Sequence, residues 1–438
     1  MKNLIHLLKI PLLWILAVPF LIQCGGSSTQ PPRAKYIKPL YKWVELGPGG
    51  AVIARAVTKG NVCPDITIDS TPVSMNTRIA KEKDNWDITV CEFNIPPEAK
   101  SVLIDSTPLP LINKKSLSRV LVIGDTGCRI TDEEVQACNR EDAWPFPSIA
   151  NAAAQYKPDL IIHIGDYVYR DSLCPYDFDG CRASPYGDNW DSWEADFLSP
   201  AKALLPAAPW IFLRGDRENC VLNHQGWFRL LDPFPYSQKC ENFSEPYNVD
   251  LDGLTLSVID STSANDITYV RAKSSRYATY LKTYENTTAG HRWFLTHRPI
   301  WAVAEDPGIE ENPNDRLFTL NHTLQTAFAS AEWDALLAKY EMAISGHLHV
   351  FDVFTFNEQG TPPQVIAGNS GTLLYPGITA KVPGYKIGHK TLKSVKNVSA
   401  FGFTTIEPAN DGWGVTLRDK NGKPITSCTV EKGSASCR

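Results

Sequence analysis

The 438-residue sequence has no excess of basic residues, because 43 Lys and Arg stand against 48 Asp and Glu, for a formal net charge of −5. A general nucleic-acid binder needs a basic face, so we expect no nucleic-acid binding. The sequence also contains no internal repeat and no low-complexity tract. Hydrophobic residues make up 43% and charged residues 21%, which is the range of a packed globular protein.

A hydrophobic run long enough to form a stable transmembrane helix is also missing. The apolar stretch at residues 10–22 follows two lysines and has the pattern of a secretory signal. Cys24 comes directly after it, as in a bacterial lipobox, although Gln23 stands where a small residue is usual. We therefore expect a signal peptide over residues 1–24 with a lipidated Cys24, and a linker over residues 25–40.

This N-terminus predicts an exported protein of the cell envelope, anchored by its lipid at the periplasmic or outer surface. The membrane would then be a partner through the lipid on Cys24. The alternative is a plain secreted or signal-anchored form, and the body of the protein is exported in either case.

No Cys-x-x-Cys spacing occurs, which argues against a metal held by cysteines. Cys24 aside, ten of the 11 cysteines remain. Sequential pairing of near neighbours predicts five local disulfides, in keeping with an oxidising compartment. The alternative is a set of unrelated free thiols. The predicted pairs are Cys63–Cys91, Cys128–Cys138, Cys174–Cys181, Cys220–Cys240 and Cys428–Cys437.

The composition of the chain changes near residue 115. Residues 41–115 lack helical periodicity and alternate apolar runs with Pro, Gly and Asp-Ser-Thr turns, which predicts a small β-sandwich-like domain. Strands and helices alternate in residues 116–438, which predicts an α/β catalytic domain. Helices are predicted over residues 148–156, 190–205, 274–284 and 320–337.

Polar side chains follow five of the predicted strands, at the point where each strand ends. Strands of one sheet bring these ends to one edge, where open α/β folds place their ligands. A cluster of carboxylates and imidazoles would repel itself or titrate without cations, so this edge predicts a metal site. The candidate ligands are Asp125, Asp166, Tyr169, Asp216, His297, His347 and His349.

The motifs that contain these candidate ligands occur in the same order as in the calcineurin-like metallophosphoesterases, which the chain resembles. The glycine of the first motif and the tyrosine of the second are similar to the purple acid phosphatase branch, which also carries an N-terminal β-sandwich. The resemblance implies a four-layer αββα sandwich preceded by a small β domain. The motifs are Gly124-Asp125-Thr126-Gly127, Gly165-Asp166-x-x-Tyr169, Gly215-Asp216-Arg217-Glu218, His297 and Gly346-His347-x-His349.

The resemblance also implies two metal ions that share Asp166. One would be ferric iron, held by Asp125, Asp166, Tyr169 and His349. The other would be a divalent Fe, Zn or Mn ion, held by Asp166, Asp216, His297 and His347. The implied reaction is hydrolysis of a phosphate monoester by a metal-bound hydroxide, with a diester as the second choice. Without the other motifs, Tyr169 would be interpreted as a core or loop tyrosine.

The third motif departs from the family pattern, because Asp216 and Arg217 stand where Asn and His are usual. Asp216 can still bind a metal but adds a negative charge. Arg217 can hold phosphate oxygens, yet it stays protonated and cannot act as the general acid. His224 is a candidate replacement for that acid, with a surface histidine as the alternative. The same departures favour a second hypothesis, a surface binding lipoprotein with a weakened active site.

Overall fold

The computed structural model describes residues 37–112, 117–285, 290–306, 316–410 and 412–438. The predicted signal peptide and Cys24 lie outside these residues. Within the described ranges, no helix is both long and apolar enough to cross a membrane.

The first of two large sheets has eleven strands. In order across the sheet they are β25 (Ser434–Cys437), β24 (Pro424–Glu431), β23 (Gly412–Arg418), β22 (Phe403–Ala409), β9 (Val120–Ile123), β10 (Leu160–His163), β11 (Trp210–Phe212), β1 (Tyr41–Leu46), β2 (Val52–Thr58), β6 (Thr89–Asn94) and β5 (Asn76–Ile79). The central strands β9, β10 and β11 are parallel and wholly buried. They are short, apolar and rich in β-branched residues, as strands covered on both faces are.

The second sheet has eight strands. In order they are β12 (Tyr247–Leu251), β13 (Leu254–Ile259), β14 (His291–Thr296), β17 (Met342–Ser345), β19 (Gln364–Ala367), β18 (Phe351–Phe356), β21 (Lys390–Val398) and β20 (Lys386–Ile387). The strands β13, β14, β17 and β19 are parallel. The two sheets pack face to face, with Val122 and Ile162 of the first sheet and Trp293 and Ile344 of the second in one apolar core.

Helices cover the outer faces of both sheets. The eleven-stranded sheet packs against α1 (Phe146–Gln155), α2 (Trp190–Trp193, continued by a π-helical turn, Glu194–Leu198) and α3 (His224–Gly226, continued by a π-helical turn, Trp227–Leu231). The eight-stranded sheet packs against α4 (Arg271–Leu281), α5 (His322–Ala327) and α6 (Ala331–Leu337). The predicted αββα architecture is therefore confirmed.

Two predicted helices are shorter than the sequence pattern indicated. The helix predicted over residues 190–205 ends at Leu198, just before Pro200, which has no backbone N–H to continue it. The helix predicted over residues 320–337 is two helices. The second begins where the Ser330 side chain accepts a hydrogen bond from the Trp333 backbone N–H, as an N-cap does.

The predicted N-terminal β-rich region is present, and its strands belong to two sheets. A four-stranded sheet contains β4 (Thr71–Ser74), β3 (Asp65–Ile68), β7 (Val102–Ile104) and β8 (Thr107–Pro108). The strands β1, β2, β5 and β6 instead extend the eleven-stranded sheet, because β1 pairs with β11 through Glu45 and Trp210. The predicted division at residue 115 stays a prediction, and the large sheet runs across it.

All five predicted disulfides are present in the described structure. The last strand pair, β24 and β25, is joined by Cys428–Cys437. A further hairpin, β15 (Val303–Glu305) with β16 (Leu317–Thr319), stands beside the second sheet.

Arg55 on β2 connects the N-terminal strands to the segment after α3. Its side chain is fully buried, and Nη2 lies 2.8 Å from a carboxylate oxygen of Glu45. The guanidinium also donates hydrogen bonds to the backbone oxygens of Leu230, at 2.9 Å, and Asp232, at 2.8 Å. Burial raises the pKa of Glu45 to about 7.

We expect Arg55→Leu to lower the free energy of unfolding by about 3–5 kcal/mol, because it leaves the buried Glu45 without its cation and the Leu230 carbonyl without its donor. Denaturant unfolding measures this. As a control, Lys81→Ala removes a surface ion pair with Asp87 and should change the same quantity by about 0–1 kcal/mol. Equal effects of the two substitutions would contradict this role for Arg55.

Candidate metal centre

The ends of five parallel strands meet at one edge of the two sheets. Asp125, Asp166 and Asp216 follow β9, β10 and β11 of the first sheet, and His297 follows β14 of the second. The residues after β17 supply His347 and His349. The fold thus brings together the strand ends that carry the candidate ligands predicted from the sequence.

One group of four side chains forms a compact donor set. Asp166, Asp216, His297 and His347 each offer one ligand atom, and these atoms lie within 4.8 Å of one another. The Nε2 atom of His297 lies 2.8 Å from Oδ1 of Asp216 and 3.3 Å from Oδ1 of Asp166. The Nδ1 atom of His347 lies 2.8 Å from the same Asp216 oxygen. Carboxylate oxygen and imidazole nitrogen suit a divalent transition metal.

A second group of four lies on the other side of Asp166. The hydroxyl oxygen of Tyr169 is 2.6 Å from Oδ2 of Asp166, 3.2 Å from Oδ1 of Asp125 and 3.1 Å from Nε2 of His349. All four side chains are buried. Two carboxylates and a phenol are hard oxygen donors, so this set fits a hard trivalent cation.

Asp166 is common to both groups, with Oδ1 facing His297 and Oδ2 facing Tyr169. Burial and the charge of Asp216 raise its pKa, but His297 and Tyr169 stabilise the anion and lower the pKa overall. Burial instead raises the pKa of Asp125 well above its usual range. Burial and, to a smaller extent, the charge of Asp166 also raise the pKa of the Tyr169 phenol well above its usual range. The donor set therefore fits two cations, whose charge would stabilise the anions that burial disfavours.

The backbone turns sharply where the strands end. Asp125, Asp166 and His347 adopt left-handed conformations, with φ of 53°, 61° and 70°. Aspartate tolerates this region through its short polar side chain, and strained backbones of this kind gather at functional sites. Gly215 is required for close approach, since a Cβ there would lie 2.1 Å from Oδ1 of Asp166.

Glu218 holds the turns beneath the centre, a role that the sequence did not reveal. Its buried carboxylate accepts hydrogen bonds from the backbone N–H groups of Gly215, at 3.0 Å, Asp166, at 3.1 Å, and Tyr167, at 2.9 Å. Burial raises its pKa to about 8. Glu218 thereby fixes the turn after β10 against the turn after β11.

Sequence reasoning also missed two residues beside the first group. Nη2 of Arg298 lies 3.1 Å from Oδ2 of Asp216, and its guanidinium forms an ion pair with Asp266. Oδ1 of Asp266 is 3.1 Å from Nε2 of His347. Arg298 therefore offsets the extra negative charge of Asp216, and Asp266 orients the His347 ring as carboxylates orient metal-binding histidines. The only sequence signal was the position of Arg298 directly after His297.

Arg217 lies beside the second group. Its backbone N–H donates to Oδ1 of Asp166 at 2.9 Å, and its guanidinium pairs with Asp171. The centre of that guanidinium is 4.9 Å from the Tyr169 ring centroid, and the guanidinium of Arg129 is 5.1 Å from it. Both positive charges act to lower the pKa of Tyr169, opposing the effects of burial and the neighbouring carboxylates.

His224 starts α3, where Nδ1 lies 4.0 Å from a carboxylate oxygen of Asp188. Its side chain is one quarter exposed. Among the described contacts, none joins His224 to the seven candidate ligands. Its function as a proton donor stays a prediction, as do the individual functions of the other candidate residues.

The chain belongs to the calcineurin-like phosphoesterases, whose family model matches residues 118–351, more than half of its length. This confirms the resemblance stated from the motifs, and it makes the protein a metallophosphoesterase, a hydrolase. No curated protein has a matching sequence.

Two solved structures share the fold. PhoD has a TM-score of 0.56 and 10% identity, with 93% of each chain covered. The purple acid phosphatase PPD1 from seeds of yellow lupin (Lupinus luteus) has a TM-score of 0.54 and 13% identity, with 89% of this chain and 74% of that chain covered. At such identities the similarity concerns the fold.

We expect opposite effects when Asp216 and Arg298 are changed singly. Asp216→Asn removes a ligand charge but keeps the guanidinium, so divalent-cation affinity should fall by roughly 10–100-fold. Arg298→Gln leaves Asp216 without its counter-charge, so affinity should rise. The double variant should return towards the parent, because the two changes are coupled. Calorimetric titration with Zn²⁺ or Mn²⁺ measures each value.

The matched control is Arg276→Gln, since that guanidinium bonds to Tyr280 on α4 rather than to the centre. It should leave cation affinity unchanged. If both single substitutions shifted affinity in the same direction, charge compensation between Asp216 and Arg298 would be refuted.

Proposed function

We propose that this protein is a metal-dependent phosphatase that hydrolyses phosphate monoesters. The observation that carries the proposal is the convergence of seven oxygen and nitrogen donors in two groups around the shared carboxylate of Asp166. Membership of the metallophosphoesterase family supports the same reaction class. A phosphodiester is the second choice of substrate.

The two groups of donors would hold different cations. Asp125, Tyr169 and His349 would bind ferric iron together with Asp166. Asp216, His297 and His347 would bind a divalent Fe, Zn or Mn ion together with the same carboxylate. When bound, two such cations polarise the phosphoryl oxygens and lower the pKa of water at the site.

Arg217 would bind the phosphate group. Its backbone contacts Asp166 and its guanidinium lies over Tyr169, so a phosphate at the shared carboxylate would lie near a fixed positive charge. A guanidinium can offer two parallel hydrogen bonds to phosphate oxygens. It cannot supply a proton to the departing oxygen, so esters of acidic alcohols should react fastest.

We further propose that the protein is exported and held in the cell envelope by a lipid on Cys24. The five disulfides support an oxidising compartment, where such bonds persist. The pattern of residues 1–24 supports the lipid anchor.

A surface binding lipoprotein is the second candidate function. The pairing of Arg217 with Asp171 favours it, because the guanidinium already has an anionic partner. Metal analysis with turnover of 4-nitrophenyl phosphate separates the two functions. Full metal loading without hydrolysis of this or any other activated ester would favour the binding protein.

We expect the parent enzyme to lose kcat/KM steeply as the pKa of the departing alcohol rises. The double reversion Asp216→Asn, Arg217→His should restore a proton donor and raise kcat/KM for alkyl phosphates by about 10²–10⁴-fold. The gain for 4-nitrophenyl phosphate should be smaller, because that alcohol needs no proton. Steady-state kinetics over a series of esters measures this dependence.

His224→Ala is the companion variant in this series. If His224 supplies the proton, its loss lowers turnover of alkyl phosphates and spares 4-nitrophenyl phosphate. A double reversion with the same leaving-group dependence as the parent would show that Arg217 does not limit the reaction.

Ferric iron at the second group should give a visible charge-transfer band through the Tyr169 phenolate. We expect Tyr169→Phe to abolish the band, while Tyr375→Phe retains it. Tyr375 stacks on the His349 ring with centroids 4.5 Å apart, and so is an aromatic neighbour of the same group. Absorption spectroscopy with iron analysis provides the test, and a colourless parent that contains ferric iron would refute this ligand.

A further inference from the structure

A cavity of about 430 Å³ lies directly beside the candidate metal centre. This volume is in the range of sites for small organic molecules. His347 and Asp266 line it on the side of the centre. The rest of its wall is largely apolar, with contributions from Val303 on β15, Phe318 on β16 and Ile378.

Asp352 on β18 is a buried carboxyl group in the wall of this cavity. One of its oxygens accepts a hydrogen bond from the Asn397 side chain. The other oxygen has no hydrogen-bond partner among the described residues. A buried acceptor without a partner is costly, so this oxygen is suited to a donor that a ligand brings.

Two other carboxylates of the wall already have partners. Asp266 pairs with Arg298, and Glu305 accepts hydrogen bonds from the backbone N–H groups of Thr379 and Ala380. The described residues that line the cavity include no Lys or Arg. A second anionic group on a ligand would therefore find no counter-charge on this wall.

We propose that this cavity binds the alcohol part of the phosphate ester, and that it selects an apolar, uncharged group carrying one hydrogen-bond donor for Asp352. The inference rests on the proposed phosphatase function, which places the phosphate at the neighbouring centre. Phenolic alcohols suit both features, because their rings fit apolar walls and their oxygens depart without a proton donor.

The test uses the metal-loaded full chain and three phosphonates that cannot be hydrolysed. They are benzylphosphonate, 4-(hydroxymethyl)benzylphosphonate and 4-ethylbenzylphosphonate, the last having the shape of the second without its donor. Calorimetry should show the hydroxymethyl compound binding about tenfold more tightly than the ethyl compound, because only it satisfies the Asp352 oxygen. Equal Kd values for these two would overturn the proposal.

Substitutions in the wall of the cavity test whether the phosphonates bind there. Asp352→Leu should abolish the preference for the hydroxymethyl compound and leave the Kd of inorganic phosphate unchanged, whereas Asp352→Asn should keep part of it. Ala304→Trp provides a second test, because Ala304 lines the cavity and is only partly buried. It should weaken all three phosphonates and spare inorganic phosphate, and unchanged phosphonate binding would refute the site.

Hydrolysis of 4-nitrophenyl phosphate separates this proposal from the proposed function. Turnover without selectivity among the phosphonates would overturn the cavity proposal alone. Selective phosphonate binding without turnover of any ester would overturn the enzyme function and support the cavity as a binding site. Failure to bind phosphonates and inorganic phosphate would overturn both.

Discussion

The arrangement of the centre depends on the shared carboxylate of Asp166. A buried anion needs compensation, and Asp166 finds it on two sides, from His297 at one oxygen and Tyr169 at the other. The left-handed turn at Asp166 and the close approach of Gly215 make this position possible. Glu218 then fixes both turns through backbone hydrogen bonds. A strained backbone turn and the buried carboxylate of Glu218 thus hold the Asp166 side chain in position.

The two halves of the centre differ in where positive charge lies. On the Tyr169 side, Arg129 and Arg217 stand over the aromatic ring rather than on a carboxylate of the centre. On the other side, Arg298 contacts the carboxylate of Asp216 directly. In the first arrangement the guanidinium groups pair with Asp171 and Glu134, and in the second the guanidinium adjusts the charge of the ligands themselves. The replacement of a neutral amide by Asp216 is therefore accompanied by a nearby cation.

Much of this centre could be predicted from the sequence, because parallel strands deliver their ends to one edge and the motifs occur in order. The disulfides were predictable because near-neighbour cysteines can pair within short loops. The contacts of Arg298 and Asp266 were not predictable, since they join a strand end to a loop that carries no motif. The break between α5 and α6 was missed because apolar spacing continued across the Ser330 cap. The sheet that each N-terminal strand joins depends on pairing with distant segments of the chain. The alternation of apolar and polar residues does not indicate that pairing.

The pairing of β1 with β11 has a consequence for folding. The partners are far apart in the chain, so β1 is synthesised long before the strand beside which it finally lies. Contacts between distant segments form slowly, and until this one forms, each strand has an unpaired edge that can join another chain. Protection of residues 41–46 from pairing with another chain until β11 is available is therefore a demand that this topology places on folding.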